Sequence, residues 1–310
     1  MWFNEEIKQQ FIDTLDLTQY PNRYWDNLFN ALAPHEELLE KDLYNFTKKQ
    51  IVTTYKMLNY VSYETLMVAH INLKKYILWA LSQNLVLDGQ DHFEEISNTE
   101  LFGCVNQLQL QQSIVTREDV VSSVRRLENY QDRFIILGLF EGIKGDKFSD
   151  LTMAKMSDID QSNLTMKLNS GRAISISPDL LNMAENASVQ TSYYVTGKDS
   201  ITREQKIYGD GIIKVLQYRY DRGFTQANER QVYHVLMKSI DDFGWSGRVS
   251  TTSLHTSGMI HMVNQLAEEY GVTGEEALYN IEILQRVKQQ YGFNQALRKR
   301  FIMKYKVFLH

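Results

Sequence analysis

A chain of 310 residues, 43% of them hydrophobic, can bury one large core or two ordinary ones, which excludes a collagen-like, wholly disordered or very small fold. Sixteen glycines and three prolines are few turn-formers for this length, so long helices are expected over a many-stranded sandwich, and the single cysteine, Cys104, excludes an internal disulfide framework and any zinc site needing two thiolates. The net charge of −5 argues on average against a nucleic-acid partner, but it is unevenly spread: residues 1–115 carry 8 Lys/Arg against 15 Asp/Glu, net −7, residues 116–310 carry 25 against 23, and residues 201–310 carry 15 against 11, net +4. DNA binding through the C-terminal part is therefore permitted. No cofactor or metal is expected. The polar, acidic start MWFNEEIKQQ and the lack of any run near ~18 uncharged apolar residues place the protein, as an expectation, in the cytoplasm and away from membranes.

In chain order, the first strong element is a helix from Ser62, its cap, to Gln83. Leu66, Ala69, His70, Leu73, Tyr76, Ile77 and Ala80 recur there at three- and four-residue steps. His70 is read with them as a core residue. Between Asp88 and Val115 the periodicity weakens and glutamines collect at 107–112, so a junction is placed near 113–116, dividing the chain into domains 1–115 and 116–310. Thr116 and Asp119 make a capping-box variant that opens a helix striped with Val120, Val121, Val124 and Leu127. FIILGLF, 134–140, is apolar on all sides and reads as a buried helix or strand. Leu164, Met166 and Leu168, a turn at Asn169 to Gly171, then Ile174 and Ile176 read as a β-hairpin. Beyond it the spacing is helical again. Thr273 and Glu276 form a second capping box, Leu278, Ile281, Leu284 and Val287 a buried stripe, and Gly292 a stop. The last helix shows Leu297, Phe301, Tyr305 and Phe308 on one face and basic residues on the others.

This order of elements resembles that of the tyrosine recombinases, the phage integrase family. IVTREDVVSSVRRLENYQDRFIILGLFEGI is similar to the entry into that family's catalytic domain, and FSDLTMAKMSDID followed by NLTMKL to its first catalytic box. TYKMLNYVSYETLMVAHINLKKYILWALSQNLVLDG resembles its core-binding domain, so the likeness covers about residues 45–310. It implies a mainly α, two-domain fold: a helical core-binding-like domain over 1–115, and over 116–310 a mostly helical catalytic-like domain with a small β-hairpin sheet, the two closing as a clamp on DNA.

Recombinase chemistry needs two arginines whose forks hold the scissile phosphate bidentately, a tyrosine that attacks phosphorus, and histidine and lysine to manage protons. Counting back from Asp158 puts Lys147 at the first arginine, with Lys144 the other candidate; lysine keeps the charge and loses the fork. Aligning LHTSGMIHM to the family's Leu-Arg-His-Thr run matches His255 and Thr256 and puts Leu254 at the second arginine. No residue three places after His35, His70, His92, His234, His255 or His261 is an arginine. The family's Gly-His pair stands here as Gly292-Phe293. Tyr305, near the nucleophile position, shares its face with Phe301 and reads as a packed aromatic. Lys147, Leu254, Phe293 and Tyr305 are thus degenerate positions, no catalytic residue is assigned, and the protein is expected not to be an enzyme.

What remains of such a fold is a DNA grip. The resemblance places Lys48, Lys49, Lys74 and Lys75 in the first domain, and Lys144, Lys147, Arg172, Arg248, Arg298, Lys299, Arg300 and Lys304 in the second, as candidate DNA contacts, where phosphate neutralisation supplies most of the affinity. Each alone could be an ordinary solvated charge; the set is what informs. Within the family the likeness is to the master repressors of SPbeta-type prophages. It implies a transcriptional repressor that maintains lysogeny by binding repeated operator-like elements in double-stranded DNA, with a second copy or a regulatory protein as a further partner. The alternatives are an active integrase using Tyr305 and an accessory protein-interaction factor that does not bind DNA.

Overall fold

The computed structural model describes residues 2–16, 22–196 and 202–310, and the chain divides into two units, Met1–Gln111 and Gln112–His310. Side-chain caps fix many of the helix starts. In the first unit α1 (Glu5–Ile12) and α2 (Asn22–Leu39) precede α3 (Lys48–Met57), α4 (Tyr63–Ser82), α5 (Asn98–Phe102) and α6 (Gln107–Gln112). Thr47 and Ser97 close reciprocal capping boxes on α3 and α5, and Ser62 caps α4 by accepting from the Thr65 amide. The α4 stripe is buried as its spacing predicts, including His70, whose Nδ1 lies 3.1 Å from Tyr55 Oη and whose ring stacks on Phe93. Elsewhere in the core of this unit Phe11, Trp25, Phe29 and Tyr76 pack on one another, Phe11 on Trp25 and Phe29 on Tyr76 edge to face. Threaded through these rings is Lys8, wholly buried, which donates to both Glu36 oxygens at 2.9 and 3.0 Å and to Asp42 Oδ2 at 3.2 Å.

The second unit is built around α8 (Tyr130–Phe140). FIILGLF is a helix here: wrapped on all sides, it satisfies its own backbone polar groups. Against it pack α7 (Arg117–Val124), capped by Thr116 as expected, and, after a short α9 (Ser149–Thr152), α10 (Pro178–Val189), α12 (Glu229–Asp242) and α13 (Thr251–Tyr270). The expected hairpin pairs β2 (Thr165–Lys167) with β3 (Ala173–Ser175) in the register Met166↔Ile174, and β1 (Ile159–Asp160) adds a third strand. The open edge of β3 is covered by side chains: Gln290 accepts from the Ser175 amide at 3.0 Å and donates to its carbonyl at 2.8 Å, and Gln289 donates to the Ala173 carbonyl at 2.9 Å.

Two expectations need correction. The chain returns to helix after the first hairpin, in α10, but not for the whole remainder: β4 (Ser192–Thr196), β5 (Thr202–Tyr208) and β6 (Val215–Leu216) form a second three-stranded antiparallel sheet before α11 (Gln217–Tyr220). It rests on side chains from elsewhere, since Asn129 takes the place of a neighbouring strand, accepting from the Tyr194 amide at 2.8 Å and donating to its carbonyl at 3.0 Å. The expected helix after Thr273 is two, α14 (Gly274–Ala277) and α15 (Ile281–Tyr291), because Asn280 caps a new start by accepting from the Glu282 and Ile283 amides. Leu278, Leu284 and Val287 are buried, but Ile281, first in the restarted helix, is 68% exposed. Gly292 ends α15 in the left-handed conformation, and α16 (Arg298–Tyr305) buries Phe301 and Tyr305 while Leu297 stays exposed. No helix among the described residues is long and apolar enough to cross a membrane.

Candidate nucleic-acid interface

The turn after α8 carries Lys144 and Lys147. Gly145 takes a left-handed φ of 65°, and Lys147 and Phe148 follow with φ of 47° and 62°, a conformation that non-glycine residues seldom adopt; Lys147 is left exposed and Lys144 half-buried. Asp150, buried at the start of α9, ties this turn to the hairpin. It accepts from the Ser170 amide at 2.8 Å and the Ser170 hydroxyl at 3.1 Å, and its Oδ2 lies 3.3 Å from Arg172 Nη2.

Arg172 does more than punctuate the hairpin. Its Nη1 donates to the Gln290 carbonyl at 2.6 Å and the Gln289 carbonyl at 3.3 Å, and its Nη2 to the Gly142 carbonyl at 3.3 Å, so the side chain is only 22% exposed. These carbonyls belong to the last turn of α15 and the exit of α8, ends that a guanidinium complements. His255 is drawn into the same group. Its ring meets Tyr291 edge to face at 5.3 Å, its Nε2 is buried with no hydrogen-bond partner, and burial, then the Lys144 and Arg172 cations, push its pKa down to about 3. His255 is therefore neutral. The structure thus gathers Lys144, Arg172 and His255 in one neighbourhood, with Lys147 on the same turn.

The other positions that the sequence reading takes as degenerate lie elsewhere. Leu254, on α13, is 0% exposed and belongs to the main core of the second unit with α7, α8, α10 and α12. Phe293 and Tyr305 meet outside that core cluster, each packing on Phe301 at 5.4 and 4.9 Å between ring centroids. Tyr305 is 8% exposed, with the Lys304 ammonium 5.3 Å over its ring.

On α16, Lys299 and Arg300 are exposed, whereas the Arg298 guanidinium stacks on Tyr279 at 4.5 Å. Arg248 is exposed beyond α12 and donates to the Gly244 carbonyl at 2.7 Å. In the first unit Lys49 and Lys75 are exposed, Lys48 pairs with Glu100 at 2.9 Å, and Lys74 pairs with Glu94 at 2.6 Å. The second sheet and its neighbours carry further cations that the sequence pattern does not single out: Arg203 and Lys206 on β5 and Arg222 after α11 are all exposed. The dense Tyr and Arg of QYRYDRGF was the available signal.

Comparison with known proteins follows the same outline. A family model described as MrpR, C-terminal catalytic domain, matches residues 114–308, and one described as MrpR, N-terminal core-binding domain, matches residues 1–82. The SPbeta prophage-derived uncharacterized protein YopR of Bacillus subtilis (strain 168) is 24% identical over 301 residues, spanning 93% of this chain and 90% of its own. Among solved structures, XerA recombinase is similar with a TM-score of 0.39 at 10% identity, over 96% of this chain and 93% of that one. XerH site-specific recombinase bound to its difH substrate gives 0.40 at 12% identity, over 85% and 68%. The integrase from mycobacterium phage Brujita gives 0.32 at 12%, over 97% and 96%. Because the catalytic-domain match alone takes in well over half of its residues and the core-binding match adds most of the first unit, the chain belongs to the MrpR family and shares its recombinase-like fold.

Proposed function

We propose that this protein is a sequence-specific double-stranded-DNA-binding repressor of prophage genes that grips DNA without cutting or rejoining it, and so maintains lysogeny. The observation that carries the reading is Leu254. At the position where the recombinase likeness calls for a phosphate-holding arginine stands an aliphatic side chain enclosed in the core, and hydrocarbon offers a phosphate oxygen no donor. The first arginine's position supports the same reading, since Lys147 and Lys144 carry charge without a fork. Tyr305 is packed among Phe301 and Lys304, and His255, held neutral, brings no charge to a phosphate. The prophage-derived relative supports the setting, and the exposed cations of α16, of the turn after α8 and of β5 supply what a backbone grip needs.

A gel-shift across genomic fragments tests the reading, followed by titration of the retained fragment at increasing salt. Affinity is expected to fall with a log–log slope of about 0.9 per neutralised phosphate. Replacing Lys299 and Arg300 together by Ala, which leaves the Arg298–Tyr279 stack in place, is expected to weaken binding to all sequences alike and to lower that slope by about 2, with folding intact. Full affinity in this variant would remove α16 from the interface. A protein that retains no fragment would be an accessory factor instead.

A further inference from the structure

Beneath the second sheet, within the second unit, lies a cavity of about 280 Å3 whose walls include Asn129, Asp132 of α8, Tyr193 and Tyr194 of β4, and Lys238 and Asp242 of α12. Asp132 is 7% exposed. Its Oδ2 accepts from the Tyr193 hydroxyl at 2.8 Å and from Asn129 Nδ2 at 3.2 Å, while its Oδ1 is buried without a hydrogen-bond partner. Burial raises the carboxyl to about 6, still ionised for the most part at neutral pH. A buried carboxylate oxygen left unpaired is costly, so the site is organised around an acceptor in need of a donor. The Lys238 ammonium acts on Asp132 at a distance, but among the described residues no ion pair joins the two, and Asp242 adds a second carboxylate nearby. Two tyrosines on the lining suit a flat cation, and Arg126, also on the wall with Glu128 and His234, is engaged with the Ser123 hydroxyl and lies 5.6 Å over the Phe243 ring. The volume lies below the usual range for drug-sized or nucleotide ligands, which leaves room for one small group and its stem.

We propose that this cavity binds a guanidinium group on a short alkyl chain, which donates to Asp132 Oδ1 and lies against the tyrosines. The group is either that of a free alkylguanidine or the side chain of an arginine in a peptide. Thermal unfolding of the full-length protein tests this with three probes: agmatine, an acetylated and amidated Gly-Arg-Gly peptide, and uncharged propylurea. At about ten times its dissociation constant, agmatine or the peptide is expected to raise the melting temperature of the second unit by about 3 °C, and propylurea to leave it unchanged. A shift with agmatine alone identifies a free alkylguanidine as the occupant; a shift with the peptide identifies a side chain. Asp132→Asn, which can still accept from Tyr193, is expected to abolish the shift. Lys238→Ala, an exposed site whose loss removes a competing cation, is expected to tighten binding several-fold. The absence of a shift with both cations, an equal shift with propylurea, an undiminished shift in D132N, or unchanged binding in K238A would each overturn the proposal.

Discussion

Lys8→Met is expected to destabilise the first unit by about 3–5 kcal/mol, the loss typical when one partner of a buried ion pair is removed and its counter-charges stay behind. Lys8 lies within the aromatic core, with its ammonium 5.4 Å over Phe29 and 2.6 Å from the Phe3 carbonyl, so that its three donors are shared among four acceptors. It pairs with two carboxylates at once. Glu36 also accepts from the Leu43 amide at 2.9 Å, and Asp42 also accepts from Tyr76 Oη at 3.1 Å, so neither acid can leave with the lysine. Methionine fills the same volume with apolar atoms, which makes the deficit electrostatic rather than a cavity effect. Its pH dependence has a definite sign. Burial, then the Asp42 charge, raises the Glu36 carboxyl from 4.5 to about 7, so it binds its proton more tightly folded than unfolded; that stabilisation is present below about 4.5 and lost as pH rises through about 7. Without Lys8 the rise is steeper, and the variant's deficit should be larger at pH 8 than at pH 5. Denaturant titration followed by tryptophan fluorescence measures it, since Trp2, Trp25 and Trp79 lie in this unit and only Trp245 in the other. A loss below about 1 kcal/mol at both pH values would show that the cluster is not what fastens α1.

Gly258→Ala is expected to destabilise the second unit by about 3 kcal/mol or more, a fall of roughly 6–12 °C in its melting temperature. A Cβ on Gly258 would stand 1.7 Å from the Phe140 carbonyl oxygen and 2.9 Å from the Tyr291 hydroxyl. Both are fixed, because the Tyr291 hydroxyl donates to that same carbonyl at 3.0 Å. The helix propensity gained by replacing glycine in the middle of α13 is at most about 1 kcal/mol, so the clash decides the sign. The substitution also separates α13 from α8 at the point that sets His255 against Tyr291. Calorimetry of the two-unit chain reads both transitions, and an unchanged second transition would mean that the two helices do not approach as closely as described.

The parts of this architecture that were legible in the sequence are those decided within a few residues. Ser62 and Thr116 announce their helices because a cap and its partner are three residues apart, and the α4 stripe is legible because one buried face repeats at helical spacing. The second sheet was not legible for the opposite reason. Along β5, TREQKIY, only Ile207 is fully buried, and the strand order is completed by the side chain of Asn129, 65 residues from the Tyr194 backbone it clips. Asn280 did carry a cap signature, but it falls inside a stripe that already looked continuous from Leu278 to Val287. In the candidate interface, the residues at the positions the recombinase likeness assigns to arginine can be counted along the chain, whereas the anchoring of Arg172 cannot: two of the carbonyls it holds lie 117 and 118 residues away. Its neighbourhood with Lys144 and His255 is a product of the fold alone.

The most direct test of a DNA grip without strand cleavage is a nicked suicide duplex built from whichever fragment the protein retains, run in parallel on native and denaturing gels. A shifted band on the native gel and only free DNA after denaturation are expected, for the wild type and for Tyr305→Phe alike. A covalent protein–DNA band that survives denaturation and disappears in Tyr305→Phe would contradict a grip without cleavage.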